Sequence, residues 1–178
     1  MNEKLYDMMD WAEIEAVVYS EEDKPQDILG PHVTEDGVLI QTFIPTAREV
    51  AVLVDGIKKP YPMEEEDEAG FFAVLIPRKR IPSYKLRVTY DNGSVQELHD
   101  AYSFAPQISQ KDTKKFNAGI CYDIYEKLGA HPMTIDGVEG VYFAVWAPQR
   151  SAGQRGGRFR ALGRPPASHA QTGRFRYF

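Results

Sequence analysis

The sequence is poor in the residues that would make it a secreted, membrane-bound or metal-dependent protein. A single cysteine, Cys121, excludes an internal disulfide and makes a reducing compartment the default. Its expected role is that of a small packed hydrophobe. No apolar run approaches the ~20 residues needed to cross a bilayer. The opening Met1-Asn2-Glu3-Lys4-Leu5-Tyr6-Asp7 lacks the basic-then-apolar order of a secretory signal. A cytoplasmic location without a membrane partner is therefore expected. His32, His99, His131 and His169 are scattered without the spacing of a zinc site. No Gly-rich loop ends in Lys-Ser or Lys-Thr after a strand, so no phosphate cradle of that kind is expected. Neither a nucleophile with its base nor a catalytic carboxylate pair stands out. His99-Asp100 looks like a catalytic dipeptide, but no partner carboxylate motif lies upstream, and it reads as a turn pair. Catalytic residues, metal and cofactor are all expected to be absent.

Charge is also missing, in a lopsided way. Residues 1–148 hold 14 Lys and Arg against 26 Asp and Glu, a net charge of −12; residues 149–178 hold seven Arg, no Lys and no acid. An acidic body does not suit nucleic acid, whereas a basic tail could. Within that tail, Gly153–Phe159 looks like an arginine-glycine RNA-binding segment. Leu162 is its only Leu, Ile or Val. Such a segment buries too little apolar surface to offset its ordering entropy, and it is expected to be disordered.

What is present is a β-rich body. The spacing of Leu5, Met8, Met9, Ala12 and Ala16 predicts one short helix over Leu5–Tyr19, ended by Pro25. Strand-like runs follow at Gly37–Ile44, Glu49–Val54, Phe71–Ile76, Tyr84–Tyr90 and Ser94–Leu98. Asp55-Gly56, Ala69-Gly70 and Asp91-Asn92-Gly93 punctuate them, and Asn-Gly suits a tight type I′ turn. Short strands without intervening helices predict an antiparallel sandwich. Glu64–Glu68 reads as a solvated loop without the ligand alternation of a calcium site. Tyr102–Asn117 is a polar connector, and Val141–Pro148 opens a second sheet. In that strand Val141, Phe143 and Val145 form the clearly apolar face, opposite Tyr142, Ala144 and Trp146. Trp11 and Trp146 could stack on a sugar ring, although a tryptophan in an apolar strand equally suits a core.

Four blocks carry a resemblance. Asp27-Ile28-Leu29-Gly30-Pro31-His32, then Ala101–Gln107 (AYSFAPQ), then Tyr125–Pro132 (YEKLGAHP) with Phe143–Pro148 (FAVWAP), resemble in order the N-terminal region of bacterial 1,4-α-glucan (glycogen) branching enzymes. The resemblance covers essentially residues 1–148. It implies an all-β chain with a short N-terminal helix: an immunoglobulin-like β-sandwich and then the truncated start of a second sandwich, similar to family 48 carbohydrate-binding modules. The expected divisions are 1–24 (helix and linker), 25–110 (first sandwich), 111–148 (linker and start of the second) and 149–178 (disordered tail). In the family a (β/α)₈ barrel follows and transfers a cut α-1,4 glucan segment to a 6-hydroxyl, giving an α-1,6 branch. None of its catalytic motifs matches here, so no catalytic residue is carried over. The resemblance implies a non-catalytic fragment that helps place the glucan, with Trp146 the one candidate contact. The alternative is a free-standing glucan-binding or protein-interaction sandwich.

After Trp-Ala-Pro the family continues Asn-Ala, a strand, and Gly-Asp-Phe-x-x-Trp; here Gln149-Arg150-Ser151 follow instead. Codons consistent with Gln149–Arg164, read after removal of one C at Pro148, spell Asn-Ala-Ala-Arg-Val-Ser-Val-Val-Gly-Asp-Phe-Gly-Leu-Trp-Asp. That is the family's own continuation, and the tail reads as the product of a one-base frameshift. A segment of that origin need not have any selected function, so no nucleic-acid partner is expected, and glucan binding by the cut-off second sandwich is expected to be weak or absent. The edge at Val141–Ala147 is expected to be left unpaired.

Overall fold

The computed structural model describes residues 3–22 and 24–146, with the backbone of 170–172 and 175–177. The chain divides into two compact units, the first taking in the N-terminal helices and running to Ser103, the second beginning at Phe104.

The first unit is the expected all-β sandwich. One antiparallel sheet has the order β1 (Gly30–Val33), β2 (Val38–Phe43), β6 (Phe71–Ile76), β5 (Glu64–Asp67). The other has the order β4 (Tyr61–Pro62), β3 (Ala47–Val54), β7 (Tyr84–Tyr90), β8 (Val95–Leu98). Between them Val38, Ile40, Phe72 and Ile76 meet Val50, Val52, Leu86 and Val88, all buried. Each such side chain contributes roughly 1.5–3 kcal/mol by leaving water.

β7 alternates buried Tyr84, Leu86 and Val88 with solvent-side Lys85, Arg87 and Thr89, as a strand with one open face must. β6 does not alternate, because both of its faces are covered. Phe72 points into the sandwich, while Phe71 and Ala73 point outward under the N-terminal helices. Those helices bring Leu5, Met9, Ile14 and Val17 onto the outer sheet face.

The single helix expected over Leu5–Tyr19 is two: α1 (Glu3–Asp7) and α2 (Trp11–Val18). Asp10 breaks the run, its carboxylate accepting the Ala12 and Glu13 N–H groups as an N-cap. Glu64–Asp67 is a strand, not a loop; an acidic run is tolerated there because β5 is a sheet edge, where charge discourages further pairing. The Asp91-Asn92-Gly93 turn is not type I′. Only Gly93 has positive φ (79°), and Gly93 N–H donates to Tyr90 O at 2.9 Å across a three-residue loop. Asn92 Oδ1 accepts Ser94 N–H and Oγ–H, a local bond that fixes this longer closure.

In the second unit, α3 (Gln110–Asn117) begins with a capping box between Ser109 and Asp112. β9 (Gly129–Ile135) and β10 (Val138–Trp146) then form a hairpin through Asp136-Gly137, both with positive φ. β12 (Phe175–Tyr177) pairs with β10 over Ala144–Trp146, and β11 (Ala170–Thr172) with β12. Six residues of the segment expected to be disordered are thus in strands, because the free edge of β10 offers them backbone partners. The remainder of 149–178 lies outside the described residues. The edge expected to be bare is paired at Ala144–Trp146 on that side.

Candidate functional site

Two of the sequence blocks that carry the resemblance meet in the first unit. Gly30, at φ +96°, lies so close to Tyr102 that a Cβ on it would sit 2.7 Å from the Tyr102 Cβ. Beside this contact Asp100 is 4% exposed and accepts the Tyr84 hydroxyl at 2.5 Å and the Tyr102 N–H at 2.9 Å. Burial pushes the Asp100 carboxyl above its ordinary pKa; the bonds from Tyr84 and Tyr102 and the charge of His32 act the other way. Burial, then the charge and hydrogen bond of Asp100, raise the Tyr84 phenol. His99 is exposed, while Asp100 is buried and bonded to Tyr84. The pair Tyr84–Asp100 ties the start of β7 to the chain leaving β8.

His32 lies on β1 with Nε2 3.3 Å from Leu29 O, and His131 on β9 with Nε2 2.9 Å from Leu128 O. His169 lies outside the described residues. Among the described residues no three His, Cys, Asp or Glu are grouped to hold a metal. Cys121 is not a core residue: it is half-buried, its thiol donating to Asp123 Oδ1 at 3.4 Å. Partial desolvation and that carboxylate raise its pKa.

The two tryptophans have different settings. Trp146 packs edge-on against Phe116 with ring centroids 4.6 Å apart, in a small cluster around Ile108 and Ala144. Tyr142, Ala144 and Trp146 therefore form the covered face of β10. Val141 and Val145, on the face read as clearly apolar, are 49% and 46% exposed. The sequence pattern named no buried side, because both faces are apolar enough and the cover decides.

Trp11 lines a groove of about 600 Å³ on the first unit. Trp11, Glu15, Val18 and Tyr19 follow one another along α2 at helical spacing; Asp67 and Glu68, from the β5–β6 turn, form the opposite wall. The Trp11 ring lies 4.5 Å from that of Tyr6, and its Nε1–H donates to Tyr6 O at 3.3 Å. Asp67 Oδ1 accepts Ala69 N–H at 2.8 Å. Tyr19, 67% exposed, is set by the turn that ends α2, in which Ser20 N–H bonds Val17 O and Glu21 N–H bonds Ala16 O. Of these residues the sequence pattern marks only Trp11 as a sugar contact; the others needed the fold.

The first unit is thus a two-sheet β-sandwich module, with helices packed on one outer sheet face, a groove and a buried clasp. Residues 10–102 match the N-terminal domain of the alpha-1,4-glucan branching enzyme GlgB, and the chain belongs to that family. It is 40% identical over 124 residues to 1,4-alpha-glucan branching enzyme GlgB 2 of Streptomyces coelicolor, covering 70% of this chain and 16% of that one. The GlgB of Thermosynechococcus vestitus is 38% identical over 141 residues, covering 76% and 18%. That of Mycobacterium sp. (strain KMS) is 39% identical over 156 residues, covering 83% and 20%. The chain thus spans a fifth or less of the length of these relatives.

Proposed function

We propose that this chain is a non-catalytic N-terminal piece of a 1,4-α-glucan branching enzyme, acting in the cytoplasm in glycogen biosynthesis. Its part there is to help place the glucan for a catalytic barrel it does not itself carry. The observation that supports this reading is the state of β10: its Val141 and Val145 face is open. A strand with apolar side chains on both faces suits a sandwich interior, and here only one side is covered. The break at Gln149 falls immediately after that strand, where a one-base frameshift accounts for the basic tail. Alone, the chain has no branching activity and binds glycogen weakly if at all. Formation of α-1,6 branches from amylose by the purified chain overturns the proposal. Sequencing the gene across Pro148 tests the frameshift: an open frame continuing for several hundred bases after removal of one C supports it, and a stop within it refutes it.

A further inference from the structure

We infer that the groove between α2 and the β5–β6 turn is a binding site for a short α-1,4-glucan segment. The argument starts from the two kinds of side chain that line it. Pyranose rings present apolar C–H faces and a rim of hydroxyls. Aromatic rings complement the faces, and carboxylates accept hydrogen bonds from the rim. The groove has both: Trp11 and Tyr19 from the start of α2 and the turn that ends it, Asp67 and Glu68 from the strand turn, and Glu15 from the helix. Its volume, about 600 Å³, falls within the 300–1,000 Å³ usual for ligand sites.

The lining is also held in place before any ligand arrives. Trp11 has spent its Nε1–H on Tyr6 O and rests against the Tyr6 ring, so what it offers is an immobilised ring and not a donor. Tyr19 is carried on a turn whose two backbone bonds fix it relative to α2. Asp67 is oriented by Ala69 N–H, leaving the other lone pairs of its carboxylate to accept from hydroxyls. Pre-ordering of this kind lowers the entropy lost on binding. From Trp11 to Val18 the helix wall runs roughly 10 Å, long enough for more than one sugar ring. The choice of an α-glucan among neutral sugars rests on the proposed function above. The groove lies in the first unit, remote in sequence from Trp146, and it does not depend on the truncated second sheet.

The test is a titration of the full chain with maltoheptaose, followed by two-dimensional NMR of the backbone amides and the two indole N–H groups. Saturable shifts at the Trp11 indole and at the amides of Glu15 and Asp67–Ala69, weakened about fivefold or more by Tyr19→Ala and by Glu68→Ala, support the inference. Both substituted residues are exposed, so the variants keep their fold. The inference is overturned by any of three results: no saturable shift up to about 20 mM, shifts confined to Trp146, or equal affinity in the variants. A groove that responds to tetra-arginine but not to maltoheptaose also overturns it, since the carboxylates would then serve a cation. None of these results bears on whether the chain forms branches or on the reading frame after Pro148, so failure here leaves the fragment reading standing.

Discussion

Replacing Tyr84 by Phe removes one oxygen from the buried clasp and leaves everything else in shape. The lost bond is the 2.5 Å contact to Asp100 Oδ2, after which the carboxylate, 4% exposed, keeps only the Tyr102 N–H on its other oxygen. A hydrogen bond to an ionised group contributes about 1.5–3 kcal/mol, and a neutral one about 1 kcal/mol. The cost therefore depends on whether Asp100 is ionised. Its folded pKa lies above the ordinary carboxylate value, so the folded state binds the proton more tightly than the unfolded chain. Stability from this group is fully present below the ordinary value and is lost as pH rises through the folded one. Without the phenol the carboxyl rises further, which steepens that loss. Tyr84→Phe is expected to cost about 1 kcal/mol where the carboxyl is protonated, rising to about 2–3 kcal/mol once pH passes its folded value. With a urea m-value of about 1–1.5 kcal/mol/M, the larger cost lowers the midpoint by roughly 2 M. Urea unfolding followed by the Trp11 indole signal reports the first unit separately from Trp146. A loss below about 0.5 kcal/mol at pH 8, or one that shrinks as pH rises, refutes this account of the clasp.

Other perturbations test other joints. Ser20 sits at φ 61° in the turn ending α2, a conformation glycine adopts at no steric cost; Ser20→Gly should raise the thermal midpoint of the first unit, by about 0.5–1 kcal/mol. Gly30→Ala forces its Cβ to 2.7 Å from Tyr102 in left-handed backbone and should cost about 2–3 kcal/mol in urea unfolding, with the Tyr102 amide resonance displaced. Asp112, bonded to Lys127 at 2.7 Å and to Ser109, has its pKa held well below the ordinary value. Its contribution is fully present above the ordinary value and is lost only as pH falls through the depressed one; because the pair is partly exposed, Asp112→Asn should remove about 1 kcal/mol or less at pH 7, a difference that shrinks progressively at the acid extreme. Acid titration of the Trp146 indole in both proteins checks this.

Strands whose own residues decide their burial were legible in the sequence, and those decided by neighbours were not. β6 and β7 have the expected boundaries, because a continuous apolar run and a clean alternation each announce how many faces are covered. β1 (GPHV) and β9 (GAHPMTI) contain Gly and Pro, which speak against strand, and were missed; each is recruited by an apolar partner, β2 or β10. The Asp136-Gly137 pair was the local signal that could have revealed β9. β5 is held by pairing to β6, not by any preference of Glu for strands. The sequence pattern likewise reached Trp11 of the groove, and it met Asp100 only in an apparent dipeptide with His99, without its partner Tyr84. Tyr84 and Asp100 are sixteen residues apart, and nothing local couples them.

β10 shows most sharply where local pattern ends. Its alternating residues are apolar on both sides, so periodicity alone fixes the strand and not the direction of burial. The cover comes from Ile108 and Phe116, which lie on the Tyr142–Ala144–Trp146 side. Val141 and Val145 consequently face outward, although their own chemistry favours burial as much. The neighbouring-frame reading supplies Asn-Ala-Ala and then Arg-Val-Ser-Val-Val after Pro148, a run of strand composition and alternating polarity. The frame as translated supplies Gln149, Arg150 and a stretch whose Leu, Ile and Val content is Leu162 alone. An apolar strand face followed by chain with almost no aliphatic side chains is an internal inconsistency of the kind that folded proteins avoid. On the proposed reading the inconsistency is one of frame: the face was selected against a sheet that this chain does not encode.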